Sequence, residues 1–124
     1  MNMEKTILII DDDVRNIFAL TAVLKSHKFK TVSATNMVTA FELLDIDKKI
    51  GLVLIDMMMP GMDGYEAIPK LKSDENYKHL PVISVTAQAM SGDRERVLAT
   101  GADEYIAKPV DVDKLMAILK RFLK

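Results

Sequence analysis

The sequence predicts an α/β fold, an open parallel sheet in which strands and helices alternate as βαβαβαβαβα. Three observations predict it. Short continuous apolar runs recur at residues 7–10, 52–55 and 82–85, the last broken only by Ser84. Such runs fit strands whose two faces are both covered by helices. The segments between them carry helical spacing. The strict alternation then favours parallel strands joined by right-handed crossovers.

Residues 7–10, 52–55 and 82–85 are the central strands. Residues 31–34 and 104–107 are weaker candidates with polar residues, as edge strands can have. The first helix repeats Ile17, Leu20 and Leu24, with Val23 beside the same face. The second carries Ala40, Leu43 and Leu44, with Thr35 or Asn36 as N-cap. The third follows Gly64 but contains Pro69. A proline in a helix interior costs ~3 kcal/mol or more. It is tolerated in the first turn, where the N–H is unpaired anyway. The expectation is therefore a helix that starts near Glu66 or is distorted before Pro69. The fourth runs from about Ser91 to Thr100 and stops at Gly101, a natural residue for a helix end. The fifth repeats Leu115, Ile118, Leu119 and Phe122 after an Asp111 cap. Its last turn is basic, through Lys120, Arg121 and Lys124, which suits the helix dipole.

The totals agree with one domain over residues 1–124. Hydrophobic residues make up 49% and charged residues 28%, an ordinary globular composition. Seventeen basic and 18 acidic residues nearly cancel, so no basic excess points to a nucleic-acid backbone. Cysteine is absent, which excludes disulfides and thiolate metal sites. No apolar run approaches the roughly 20 residues of a spanning helix, and no signal-peptide core is present. A cytoplasmic protein with no membrane partner is the expectation.

In an open parallel sheet, ligands bind beyond the carboxyl ends of the strands. The first strand ends in Asp11, Asp12 and Asp13, the third in Asp56, the fourth in Thr86 and Ala87, the fifth in Lys108 and Pro109. Each has a plainer reading: an Asp as turn former or cap, as for Asp13, a Thr as structural, a Lys as a solvated charge. Their convergence argues otherwise. Carboxylates within ~5 Å repel by roughly 3 kcal/mol per pair at an effective dielectric of ~20. One lysine offsets part of that, and a hard divalent cation with oxygen ligands would offset the rest. Beyond Asp56 the segment Met59-Pro60-Gly61-Met62-Asp63-Gly64 forms a tight turn. Its methionines read as packing.

Together these residues resemble the receiver domain of bacterial two-component response regulators, of the chemotaxis-regulator kind. The resemblance rests on Asp11-Asp12, Asp56, Met59-Pro60-Gly61-Met62-Asp63-Gly64, Thr86-Ala87, Tyr105 and Lys108-Pro109, and spans essentially the whole chain. It implies a flavodoxin-like (βα)5 sheet of order 2-1-3-4-5, with helices on both faces. It implies that Asp56 accepts a phosphoryl group from a phosphohistidine of a histidine kinase or histidine phosphotransfer protein. Mg2+ would be held by Asp12 directly, Asp11 through water, Asp56 and the backbone carbonyl of Met58. Lys108 would pair with the phosphoryl oxygens, and the Lys108-Pro109 bond would be cis. Thr86 and Tyr105 would form a switch acting on the face of the fourth helix, fifth strand and fifth helix, which would control a downstream protein. An unswitched, exposed Tyr105 is the plainer alternative. Met58 and Gln88, two residues beyond Asp56 and Thr86, flank the reaction centre. Met58 is expected to shield the phosphoryl group from water and so slow its loss; the alternative is that Gln88 orients that water.

Such a chain is not an enzyme in the turnover sense, beyond gaining and losing its own phosphoryl group. Kinase activity would follow only if it were part of a hybrid histidine kinase. The segments Asp13-Val14-Arg15-Asn16 and Lys108-Pro109-Val110-Asp111 are similar to hybrid-kinase receivers, and a stand-alone shuttle is the other possibility. On this reading no DNA-binding output element is expected within residues 1–124. A Mg2+-dependent phosphatase with an aspartate nucleophile on the first strand is the rival from another class, since Asp11 and Asp13 form an Asp-x-Asp pair. Haloacid-dehalogenase-like enzymes usually continue with Thr or Val where this chain has Arg15. A dinucleotide-binding module lacks its Gly-x-Gly-x-x-Gly after the first strand. A receiver-shaped module that is never phosphorylated would not need the full set of acidic, Thr and Lys positions.

Overall fold

The computed structural model describes residues 4–87 and 92–123. Strands β1 (Thr6–Ile10), β2 (Lys30–Ala34), β3 (Ile50–Asp56), β4 (Val82–Thr86) and β5 (Glu104–Ala107) alternate with helices α1 (Val14–Ser26), α2 (Met37–Ile46), α3 (Gly64–Ser73), α4 (Asp93–Leu98) and α5 (Val112–Phe122). All strand pairs are parallel, in the order β2-β1-β3-β4-β5. The chain thus has the flavodoxin-like fold the sequence predicts.

The continuous apolar runs are explained by burial on both faces. Leu8, Ile10, Val53, Ile55 and Val82 point to one side, against Ala40 and Leu44 of α2, Ala67, Ile68 and Leu71 of α3 and Val97 of α4. Ile7, Ile9, Leu52, Leu54, Ile83, Val85 and Ile106 point to the other, against Leu20 and Leu24 of α1 and Leu115 and Leu119 of α5. Each fully buried Leu or Ile contributes roughly 1.5–3 kcal/mol. β2 and β5, at the sheet edges, keep the mixed exposure their polar residues foretold.

Helix starts follow cap chemistry. Asn36, rather than Thr35, caps α2 by accepting from Thr39 N, and Asp111 caps α5 by accepting from the N–H groups of Asp113 and Lys114. Asp13 caps α1 through Arg15 N.

The third helix corrects the sequence reading. α3 runs without interruption from Gly64 to Ser73 with Pro69 inside it. Two anchors outweigh the proline. Asp63 accepts from Glu66 N and fixes the first turn, while Gly64, Ala67, Ile68 and Leu71 are buried as one stripe. Pro69 lies on the exposed side, where water can satisfy the carbonyl it leaves. Gly64 also fixes where α3 begins. A Cβ there would lie 2.5 Å from Met57 Sδ and 2.9 Å from Met57 Cα, so the helix can reach the end of β3 only with glycine. Its N–H donates to Met57 O at 3.1 Å.

α4 ends two residues earlier than expected, at Leu98. Gly101, with φ at +106°, closes the turn by donating to Leu98 O at 3.0 Å. The expected start at Ser91 lies outside the described residues.

Candidate functional site

β1 and β3 are neighbours, so the residues that follow their carboxyl ends must meet. Asp11 is buried, Asp12 exposed, and Asp56 8% exposed. One carboxylate oxygen from each lies within 4.8 Å of the others. Asp13, the third acidic residue of the run, turns away to cap α1 and to pair with Arg15 at 2.9 Å.

Backbone donors fix two of these carboxylates. Asp11 Oδ1 accepts from Asp13 N at 2.9 Å, and Asp56 Oδ1 accepts from Met58 N at 3.0 Å. Their remaining oxygens share one cation. Lys108 Nζ donates to Asp11 Oδ2 at 3.2 Å and to Asp56 Oδ2 at 3.3 Å. Lys108 is held by its own N–H, which donates to Thr86 O at 2.8 Å, and is followed by a cis peptide bond to Pro109. The two backbone donors carry no sequence motif of their own and were not read from it.

The charges do not balance. Burial pushes the Asp56 carboxyl above its ordinary range, and the neighbouring Asp11 adds to this. The Met58 N–H and Lys108 pull it down without prevailing. Lys108 shows the converse. Burial would lower its pKa, but its hydrogen bonds and charge attraction to Asp11 and Asp56 raise it. Three carboxylates around one ammonium leave room in charge for a divalent cation. The donors are hard oxygens, and exposed Asp12 leaves the cluster open to water. That is the setting magnesium favours, with one or two carboxylates and retained waters.

Thr86 ends β4 with its side chain buried. Tyr105 pairs in register with Ser84, two residues before Thr86, so both side chains leave the sheet on the same face. Tyr105 is half-buried there and packs against the core beneath α3 and α4. Ser84 Oγ, opposite Tyr105, is buried without a hydrogen-bond partner among the described residues. Met58 is 57% exposed beside Asp56. Gln88 lies outside the described residues. No described helix is long and apolar enough to cross a membrane.

A family model described as the response regulator receiver domain matches residues 7–120. The polar-differentiation response regulator DivK of Brucella anthropi is 32% identical over 121 residues, covering 98% of each chain. Among solved structures, the receiver domain of sensor histidine kinase PA1611 from Pseudomonas aeruginosa is 30% identical with a TM-score of 0.85. It covers 96% of this chain and 97% of its own, and was solved with a magnesium ion coordinated in the active site cleft. The receiver domain of a signal transduction histidine kinase from Syntrophus aciditrophicus is 31% identical, with a TM-score of 0.86 and coverage of 96% and 89%.

Proposed function

We propose a function from the premise that this chain belongs to the response regulator receiver domain family. It is therefore a module of two-component signalling. In our reading, Asp56 is the phosphoryl acceptor. A carboxylate oxygen of Asp56 attacks the phosphorus of a phosphohistidine on a histidine kinase or phosphotransfer protein. The new O–P bond makes an acyl phosphate, the N–P bond breaks, and the electron pair leaves with the imidazole nitrogen. The observation that carries this is the buried Asp56 among Asp11, Asp12 and a single shared lysine.

Positioning and charge neutralisation are most of what phosphoryl transfer asks of a protein. The Met58 N–H holds one Asp56 oxygen and so orients the other. Asp12 directly, Asp11 through water, Asp56 and the Met58 carbonyl would hold Mg2+. The bound ion would neutralise the incoming phosphoryl oxygens. Lys108 exchanges a carboxylate for a phosphoryl oxygen without leaving the site. Thr86 donates its hydroxyl to the new oxygens, and Tyr105 moves into the space this opens. That gives a two-state element biased by the added charge, able to alter the α4–β5–α5 face presented to a downstream protein.

Met58 covers the acyl phosphate and slows its hydrolysis by excluding water. A Met58→Ala protein should lose its phosphoryl group faster in Mg2+, and an unchanged half-life would remove that role. The main test is incubation with acetyl phosphate, with and without Mg2+, read by intact mass. Uptake of one phosphoryl group that stops with excess chelator is expected. Equal uptake in chelator would remove the metal from the account. Repeated turnover of phosphate esters would favour the phosphatase reading, and no uptake at all would favour a module that is never phosphorylated.

A further inference from the structure

One carboxylate ties together the three elements on which the proposed switch acts. Glu104 opens β5. Its Oε1 accepts from Arg94 Nη1 of α4 at 3.1 Å, and its Oε2 accepts from Arg121 Nη2 of α5 at 2.8 Å. Oε1 also accepts from Tyr105 N at 3.0 Å, so the bridge is fixed to the backbone of the switch tyrosine itself. The Glu104 side chain is 15% exposed, while each arginine is 55% exposed. The bridge thus has a sheltered centre and two solvent-facing arms. Burial alone would raise the Glu104 carboxyl, yet Arg121, the Tyr105 N–H and Arg94 together hold it below the usual range.

The α4 arm matters because α4 is short. The helix has six residues, with Val97 buried and Leu98 packed partly buried against the same core. The Arg94–Glu104 ion pair adds a polar tie between this helix and β5.

We propose that Glu104 is a latch that, by gripping Arg94 and Arg121 across β5, biases the α4–β5–α5 face toward its resting arrangement. The proposal rests on the reading of Asp56 as acceptor and of this face as the switch. A contact made in both arrangements would affect stability alone. A contact made in the resting arrangement only must also oppose the activating ligand, by the same factor in reverse.

The test uses Mg2+ with beryllofluoride, which caps an aspartate carboxylate as an acyl-phosphate mimic. Its affinity is measured by calorimetry on wild type, Glu104→Gln and Arg94→Gln, with thermal unfolding alongside. Both variants should bind beryllofluoride about fivefold more tightly than wild type, and bind Mg2+ alone as wild type does. Should Glu104→Gln fail to fold, Arg94→Gln carries the test, because it removes only the α4 arm. Wild-type affinity in the folded variants, with a lowered melting temperature, would overturn the latch and leave Asp56 as acceptor untouched. No binding by wild type would overturn the acceptor reading and the latch together.

Discussion

Asp56 and Glu104 are both sheltered carboxylates at strand ends, yet their surroundings treat them oppositely. Asp56 lies at the carboxyl end of β3, beside Asp11 and Asp12, and shares one lysine with Asp11. Burial raises its pKa and the lysine does not restore it. Glu104 lies at the amino end of β5 between two arginines, which more than offset burial. The molecule keeps unbalanced negative charge around Asp56, where Asp11 and Asp12 crowd in, and balances it at Glu104, where one carboxylate grips a helix on each side.

Removing Lys108 should break the first region most. Lys108→Ala leaves Asp11 and Asp56 without their cation, and should cost about 2 kcal/mol without metal. Added Mg2+ should recover part of that, as thermal unfolding would show. An unchanged melting temperature would mean that the carboxylates are satisfied otherwise.

The two carboxylates themselves should then respond with opposite signs. The raised pKa of Asp56 means its contribution to stability is full below the ordinary value of 3.8 and is lost as pH rises through the raised one. At neutral pH its charge therefore opposes folding. Asp56→Asn should raise stability by about 1 kcal/mol at pH 7 without metal. The gain should fade in acid. For Glu104 the lowered pKa means the contribution is present above the ordinary value of 4.5 and is lost as pH falls through the lowered one. Glu104→Gln should lower stability by roughly 1 kcal/mol at pH 7, and by less in acid. Melting curves of both variants from acid to neutral pH check this. Shifts of the same sign would abolish the contrast.

The smallest effect is expected at Met58. Met58 borders Asp56 but is exposed, so Met58→Ala should change stability by less than ~0.5 kcal/mol. A larger loss would make Met58 a packing residue.

The strands and the Asp56 cluster were legible because their signals are local. Continuous apolar runs such as Leu52-Val53-Leu54-Ile55 mark a strand buried on both faces, and the residue after each run is at a known end of the sheet. Asp13 as a cap and Gly101 as a turn residue were legible for the same reason. The course of α3 was not, because the local cost of Pro69 is readable while the buried stripe that overrides it depends on tertiary packing. The Glu104 bridge was invisible for a related reason. Arg94 and Arg121 lie 10 and 17 residues away on different helices, and only the fold joins them. A glutamate opening an otherwise apolar edge strand was the one available hint.

The central claim is that Asp56 takes the phosphoryl group. Wild type and Asp56→Asn are treated with acetyl phosphate and Mg2+ and weighed intact. Wild type should gain one phosphoryl group and the variant none. A variant that gains the group in similar yield would contradict that claim.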